Sequence, residues 1–292
     1  MTPAAVHFSF NLLRDASDMM ATDFMPRAFL AGGCIALAAG LVGYFVVLRN
    51  QVFTSDALGH VAFTGGLGGV LAGAPLVLSV FAATIGGSLA IGSLGGRGRG
   101  RDIAIGTVFA WVLGLGVLFL TLYTAARSGA TGTLGVSVLF GSILSLQPGP
   151  ATFATGAAII TSLALVAIAR PLLFASLDPD VAAARAVPVR LVTLLFLALV
   201  GLTVAEAVQA VGALLIFGLL VTPAAIAQNL TANPYRGMAL AAALSVGFVL
   251  VGLVVAFYVA YPASFFIIAI SFATYIGSAV TARLARAAGA AT

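Results

Sequence analysis

The stretch AFLAGGCIALAAGLVGYFVVL (residues 28–48) decides the fold class of this chain. It contains no charged side chain, and about 20 apolar residues in a helix span the hydrocarbon core of a membrane. Eight similar stretches follow, at residues 57–73, 75–94, 103–126, 151–171, 191–208, 211–227, 237–258 and 264–282. The sequence therefore predicts an all-α, polytopic membrane helical bundle with nine transmembrane helices. Eight is the alternative count, because two pairs of neighbouring stretches are barely separated.

The composition excludes several other classes of protein. The 292 residues are 62% hydrophobic and only 7% charged, which rules out a soluble globular protein. All 13 basic residues are arginines, so a phosphate-binding loop of the G-x-x-x-x-G-K-[ST] type is impossible and the chain does not hydrolyse ATP alone. The arginines are scattered between apolar runs, which argues against a nucleic-acid surface. The single cysteine, Cys34, excludes a disulfide framework.

The arginines also predict an orientation, because basic residues are retained on the cytoplasmic side. With the N-terminus outside, three arginines lie outside and ten lie in the cytoplasm, the ten being Arg49, Arg97, Arg99, Arg101, Arg170, Arg185, Arg190, Arg236, Arg283 and Arg286. We therefore expect an extracytoplasmic segment at residues 1–27, a single transmembrane domain at 28–282 and a cytoplasmic tail at 283–292. Residues 95–102 become a flexible cytoplasmic loop, and residues 133–147 a short helix on the outer face.

One polar cluster stands inside the second apolar stretch. Asp56, His60 and Thr64 follow each other at intervals of four residues, which places them along one face of a helix. A carboxylate and an imidazole at this spacing are suited to one divalent first-row metal, although two ligands are too few for tight binding. A two-fold dimer supplies two of each. The alternative is that Asp56 caps the helix and pairs with His60 near the aqueous face.

Two further features belong to the membrane segments. Gly65, Gly69 and Gly73 recur on one helix face, which predicts close helix packing. Glu206, the only glutamate, lies toward the outer end of the sixth stretch, and we expect it to be exposed at the interface.

Three stretches carry a family resemblance. They are VVLRNQVFTSDALGHVAFTGGLGGVLAG (residues 46–73), LDPDVAAARAVPVR (177–190) and VGALLIFGLLVTPAAIAQNLTANPYRG (211–237). Together they resemble the permease subunits of bacterial ABC importers for zinc, manganese and related divalent metals, the ABC-3 family. Two positions depart from the family pattern: Gly59 stands where serine is common, and Ala186 where glycine is usual.

The resemblance implies a multi-pass protein of the bacterial inner (plasma) membrane that is a transport subunit and not itself an enzyme. Its fold is that of an ABC importer permease, with a layout similar to the cobalamin and siderophore importers. The expected partners are a second permease copy, separate ABC ATPase subunits, an extracytoplasmic metal-binding protein and membrane lipid, with no nucleic acid. Asp56 and His60 would line the path of the transported zinc or manganese ion, and no cofactor would be bound permanently.

The third stretch is expected to contact the ATPase. Pro223 should disrupt the helix, so that the chain leaves the membrane as a short cytoplasmic helix and turn. This resembles the coupling helix of ABC permeases, and the residues assigned to it are Thr222, Pro223, Ala224, Ala225, Ala227, Asn229, Thr231 and Pro234. Asp178, Asp180 and Arg185 of the second stretch should lie on the same face.

Other functions remain as alternatives. The first is a permease for cobalamin or iron-siderophore complexes, whose bulky substrates need no carboxylate and imidazole on one helix. The second is an ion-coupled secondary transporter, for which inverted repeats with broken helices would be expected. An intramembrane metalloenzyme would want a motif such as H-E-x-x-H, which this sequence lacks. The ligand types leave zinc, manganese and iron open.

Overall fold

The computed structural model describes residues 19–93, 99–126, 141, 143–145, 147–213, 216–259 and 261–289. In these ranges the chain forms ten α-helices and one short 3-10 helix, Ile143–Ser145. The α-helices are α1 (Met25–Leu48), α2 (Val52–Leu71), α3 (Leu76–Ser93), α4 (Arg99–Ala126), α5 (Pro148–Leu177), α6 (Pro179–Ala184), α7 (Val189–Ala210), α8 (Ile216–Leu230), α9 (Pro234–Tyr258) and α10 (Ala263–Gly289). The predicted all-α membrane bundle is confirmed.

Each of the nine predicted spans corresponds to one helix, and the six-residue α6 is additional. Seven helices in the described part are long and apolar enough to cross a membrane. The remaining two are α2, which carries Asp56 and His60, and α8, whose 15 residues extend about 22 Å and so fall short of the hydrocarbon thickness. Of the predicted outer helix at residues 133–147, only 141, 143–145 and 147 lie within the described residues.

Helix α1 lies at the centre of the bundle and packs against α5, α7, α8 and α9. Small residues allow this close approach. A Cβ atom on Gly40 would lie 2.6 Å from the Ala241 carbonyl oxygen of α9, and one on Gly43 would overlap the Leu220 carbonyl oxygen of α8. The glycines of α1 therefore bring two helices against its backbone.

The glycine face of α2 packs on α3 as predicted, except at its last member. A Cβ on Gly65 would overlap Ala83, and one on Gly69 would overlap Ser79. Gly73 lies beyond the helix end with φ of +84°, and its amide donates to the Val70 carbonyl. This left-handed residue ends α2 and turns the chain toward α3.

Several segments predicted to be cytoplasmic meet at one end of the bundle, which we call the Arg49 end. Arg49 follows α1 and donates to Ser176 at the end of α5 and to Thr193 near the start of α7. Gln228 of α8 donates to the Tyr44 carbonyl of α1 at 3.3 Å. The short helix α6, which begins at a cap formed by Asp178, joins α5 to α7 at this end.

The predicted break at Pro223 is wrong. Helix α8 runs through Pro223 and ends at Leu230, and Asn233 then caps α9 by accepting from the amides of Tyr235 and Arg236. Proline removes one backbone donor, but in a bundle neighbouring helices and small adjustments re-satisfy the freed carbonyl. The chain therefore turns only at residues 231–233.

The departure at Ala186 has a measurable consequence. Ala186 has φ of +60°, a left-handed conformation that costs an L-residue about 1–2 kcal/mol, whereas glycine loses about 0.5–1 kcal/mol more than alanine in chain entropy. We expect Ala186→Gly to raise the free energy of unfolding by about 0.5 kcal/mol. The measurement is the thermal unfolding midpoint in detergent, which should rise. Ala184→Gly, at a helical and exposed position of α6, should lower it. A similar loss in both variants would contradict the strain at Ala186.

Candidate metal site and the surface at the Arg49 end

Asp56 and His60 lie on α2 within three turns of its start at Val52. Both side chains are half-buried, while the intervening Ala57, Leu58 and Gly59 are buried against the bundle. Residues four apart on a helix have Cβ atoms about 5–6 Å from each other. The carboxylate and the imidazole are therefore neighbours on one partly open face of α2.

Asp56 opens into a cleft of about 510 Å³. The cleft is lined by Asn50 in the turn before α2, by Val52, Phe53 and Asp56 from the start of α2, and by Phe217 from the start of α8. Phe53 and Phe217 are both exposed, so the cleft has apolar walls with one carboxylate among them. An ion entering it would exchange water for that carboxylate.

His60 is held by an aromatic neighbour on α4. Its ring meets the edge of Phe109 with centroids 4.9 Å apart and planes at 81°. Phe109 also contacts Phe53, with centroids 6.0 Å apart. Edge-to-face contacts of this kind restrict ring orientation, so α4 restrains the imidazole one helical turn from Asp56.

Two nearby residues do not join the pair as ligands. Thr64 is buried and donates to the Val112 carbonyl of α4 at 2.9 Å, so its hydroxyl is used in helix packing. Gly59 faces the segment before α8, where an added Cβ would lie 3.0 Å from the Ala213 carbonyl oxygen and 3.1 Å from Ile216 Cγ2. The glycine at this position therefore fits a close approach between α2 and the segment leading into α8.

The pair is incomplete as a metal site within one chain. Among the residues that the structure describes, no group of three or more His, Cys, Asp or Glu side chains converges. One carboxylate and one imidazole leave most positions around a divalent ion to water or to another molecule. The arrangement suits a site that is shared or transient.

The predicted coupling residues divide between the core and the surface. Pro223, Ala224 and Ala227 are buried within the bundle, and Thr222 and Ala225 are half-buried. Only the C-terminal part of the stretch reaches the surface, with Asn229 exposed and Thr231 and Pro234 half-buried. The buried alanines are therefore unavailable to a docking protein, because α8 does not leave the bundle at Pro223.

The exposed part of that stretch borders a groove of about 580 Å³. The groove lies between the C-terminal part of α5, Val187 after α6 and the start of α9, and it is lined by Arg170, Pro171, Leu173, Phe174, Leu177, Val187, Pro234 and Tyr235. Leu177 is 66% exposed, Val181 of α6 46% and Tyr235 55%. This surface, residues 177–187 with 229–236, is called the α6 surface below.

The sequence identifies the family. The family model described as the ABC 3 transport family matches residues 21–282. The chain belongs to this family. The resemblance inferred from residues 46–73, 177–190 and 211–237 is thus confirmed, and the chain is an ABC transporter permease of the multi-pass type found in the bacterial plasma membrane.

Relatives of this ABC 3 permease include proteins named for manganese. The manganese transport system membrane protein MntC of Halalkalibacterium halodurans is 28% identical over 225 residues, covering 76% of this chain and 74% of MntC. The manganese import system permease protein ScaB of Streptococcus parasanguinis is 31% identical over 218 residues, covering 74% of this chain and 75% of ScaB. A solved structure, PsaBC from Streptococcus pneumoniae in complex with Fab, matches with a TM-score of 0.79 at 22% identity, covering 91% of this chain and 95% of that one. This last likeness shows the fold.

The expected exposure of Glu206 in the permease is wrong. Glu206 is fully buried between α7 and α5, where its Oε1 accepts a hydrogen bond from the hydroxyl of buried Thr161 at 3.1 Å. Its Oε2 has no hydrogen-bond partner among the described residues. The sequence missed this pairing because the two residues are far apart in the chain and Thr161 lies in an apolar stretch.

A double-mutant cycle measures the Thr161–Glu206 contact. Thr161→Val leaves the buried carboxyl without its donor, which should cost about 1 kcal/mol. In a Glu206→Leu background the same change should cost less, because no polar group is then stranded. The readout is the thermal midpoint of the purified permease. Thr155→Val is the control and should cost the same in both backgrounds, since that buried hydroxyl donates to the Ala151 carbonyl of its own helix. Equal costs of Thr161→Val in the two backgrounds would exclude the coupling.

Proposed function

We propose that this chain is the permease subunit of an ATP-driven importer of divalent metal ions, with Asp56 and His60 as its ion-binding residues. The observation that carries the proposal is the carboxylate of Asp56 in an apolar-walled cleft of a membrane bundle, with the imidazole of His60 one helical turn away on the same face of α2. Ionisable side chains in membrane segments are costly and commonly line ion pathways. A site on such a pathway must bind weakly enough to release its ion.

Two copies of the permease complete the site in this proposal. One Asp56 neutralises only half the charge of a divalent ion, and a charge left uncompensated in an apolar site is unfavourable. A two-fold arrangement brings two carboxylates and two imidazoles to one ion, giving zero net charge for the ion and the carboxylates together. The partly open side of the cleft leaves room for the second set.

Manganese is the proposed principal cargo. The relatives MntC and ScaB carry manganese in their names, which supports this choice over zinc or iron. Carboxylate oxygen suits Mn²⁺, while imidazole serves zinc and iron as well, so the pair alone does not discriminate strongly. These relatives also favour a metal ion over the cobalamin or siderophore alternative.

Energy and substrate come from separate subunits in the proposed importer. The chain has no lysine and so no phosphate-binding loop, which supports ATP hydrolysis by partner ATPases. We place their docking site at the α6 surface, where exposed Leu177, Val181 and Tyr235 lie next to Arg170 and Arg185. An extracytoplasmic metal-binding protein would deliver the ion at the opposite end.

Isotope uptake tests the proposed cargo. Cells lacking other manganese importers would express the permease with its ATPase and binding protein, and accumulation of ⁵⁴Mn²⁺ and ⁶⁵Zn²⁺ would be followed. We expect ATP-dependent manganese uptake that requires all three proteins. Uptake of neither ion by the complete system, with all three proteins assembled in the membrane, would contradict the proposed function.

The proposed orientation places the Arg49 end in the cytoplasm. In a Cys34→Ser background, Ala21→Cys and Ala232→Cys introduce thiols at exposed positions at opposite ends of the bundle. We expect a membrane-impermeant thiol reagent to label position 21 in intact cells and position 232 only after permeabilisation. The reverse pattern would invert the topology and remove the α6 surface as the ATPase site. Of the flexible cytoplasmic loop expected at residues 95–102, residues 95–98 lie outside the described residues, and the prediction is wrong for 99–102, which form the first turn of α4.

A further inference from the structure

Arg49 joins three helices at the end of the bundle that carries the α6 surface. It follows the last residue of α1, where a cation is favoured by the helix dipole. One terminal nitrogen, Nη1, donates to Ser176 Oγ of α5 at 3.1 Å, and Nη2 donates to Thr193 Oγ1 of α7 at 3.0 Å. The guanidinium carbon lies 5.4 Å from the centroid of the Phe196 ring of α7.

The two hydroxyl partners lie on either side of α6. Ser176 precedes the first residue of α6 by three positions, and Thr193 follows the short linker that leads from α6 into α7. Within this segment Asp178 caps α6, and the Val187 amide donates a hydrogen bond to the Ala182 carbonyl at 3.0 Å. These local hydrogen bonds hold the segment together as a unit. A displacement of α6 relative to α1 must therefore move one or both hydroxyls against the guanidinium.

On its other side Arg49 leads directly into the helix of the candidate metal site. Asn50 takes a left-handed conformation with φ of 53°, and the Gln51 amide donates to the Val46 carbonyl at 2.8 Å. Helix α2 begins at Val52, and Asp56 lies one turn later. The turn is short and hydrogen-bonded, so the position of Arg49 sets the position of the start of α2 and of the cleft wall formed by Asn50 and Val52.

We infer that Arg49 is a positioning residue that links the segment flanking α6 to the start of α2, so that movement of the ATPase docking site is transmitted to Asp56 and His60. This inference rests on the proposed function. Arginine suits the task because its planar fork reaches two hydroxyls while its face lies over an aromatic ring. Lysine keeps the charge but offers a single ammonium on a flexible stem, so it does not reproduce this geometry.

The test compares ion transport with ATP hydrolysis in the full transporter reconstituted in vesicles with its binding protein. We expect Arg49→Lys to lower the number of ⁵⁴Mn²⁺ ions transported per ATP roughly ten-fold, with the ATPase rate within about two-fold of the unsubstituted protein. Ser176→Ala with Thr193→Val, which leaves Arg49 in place, should act in the same direction. Ser176→Thr with Thr193→Ser keeps both hydroxyls and should retain the normal number of ions transported per ATP.

Arg190→Lys is the matched control, because Arg190 is an exposed arginine at the start of α7 and should tolerate the change. Unchanged ions per ATP in Arg49→Lys and in the double hydroxyl variant would overturn the inference. A parallel fall of transport and ATPase activity with loss of the assembled complex would also overturn it, since that is the result of a purely structural contact. Failure of the metal site is distinguishable: Asp56→Ala with His60→Ala would then keep normal uptake, whatever the Arg49 variants do.

Discussion

Replacing Asp56 and His60 together by alanine should abolish metal uptake while the complex still assembles. Mutating a residue that only orients a metal ligand commonly lowers metal affinity or activity by about 10- to 100-fold. Loss of both direct ligands should therefore reduce ⁵⁴Mn²⁺ uptake by about 100-fold or more. Folding should survive because both side chains are only half-buried and alanine is a strong helix former. The measurement is the initial rate of uptake, normalised to the amount of assembled transporter.

Single variants sharpen this expectation. Asp56→Asn keeps size and shape but removes the charge, and it should lower uptake nearly as much as Asp56→Ala. Asp23→Asn is the matched control, since it neutralises an exposed carboxylate before α1, outside the cleft and outside the α6 surface. Normal manganese uptake by the assembled double alanine variant would exclude Asp56 and His60 from the ion path.

A glutamate placed on α6 should separate the permease from its ATPase. Val181 is exposed on α6, so Val181→Glu should leave the fold intact while putting a charge into the proposed interface. A charge that is buried in an interface without a partner commonly costs about 2 kcal/mol or more. This cost corresponds to a loss of about 30-fold in the affinity of the permease for its ATPase. We expect co-purification of the ATPase and ATP-driven uptake to fall together.

Two comparisons define what this result means. Val181→Ala should behave almost like the unsubstituted protein, because it removes apolar area without adding charge. Leu230→Glu, at an exposed position of the same surface, should weaken ATPase binding as well. Full ATPase association and uptake in both glutamate variants would place the docking site elsewhere. Ala227→Glu gives no such information, because Ala227 is buried and a glutamate there disturbs the bundle directly.

The features that follow from local sequence were predicted well. The length of the apolar stretches predicted the helices, and a spacing of four residues placed Asp56 and His60 on one face of α2. Both predictions depend only on helix geometry. The glycine spacing of Gly65 and Gly69 similarly predicted close packing, now seen against α3.

The features that depend on tertiary contacts were not predictable in this way. Pro223 normally ends a helix, but α8 continues because the bundle surrounds it, and the alanines after it are buried as a result. Glu206 looked interfacial from its place near a helix end, yet its face of α7 packs on α5 and meets Thr161. Likewise, Arg49 carried only an orientation signal in the sequence, whereas its hydroxyl partners lie far along the chain.

The stoichiometry of Mn²⁺ binding tests the central claim most directly. The purified nucleotide-free transporter would be titrated with Mn²⁺, and bound and free ion distinguished by electron paramagnetic resonance. We predict one weakly bound Mn²⁺ for every two permease chains, lost in Asp56→Ala with His60→Ala and retained in Asp23→Asn. One ion for each permease chain, or the same binding in the double alanine variant, would contradict a site shared by Asp56 and His60 of two copies.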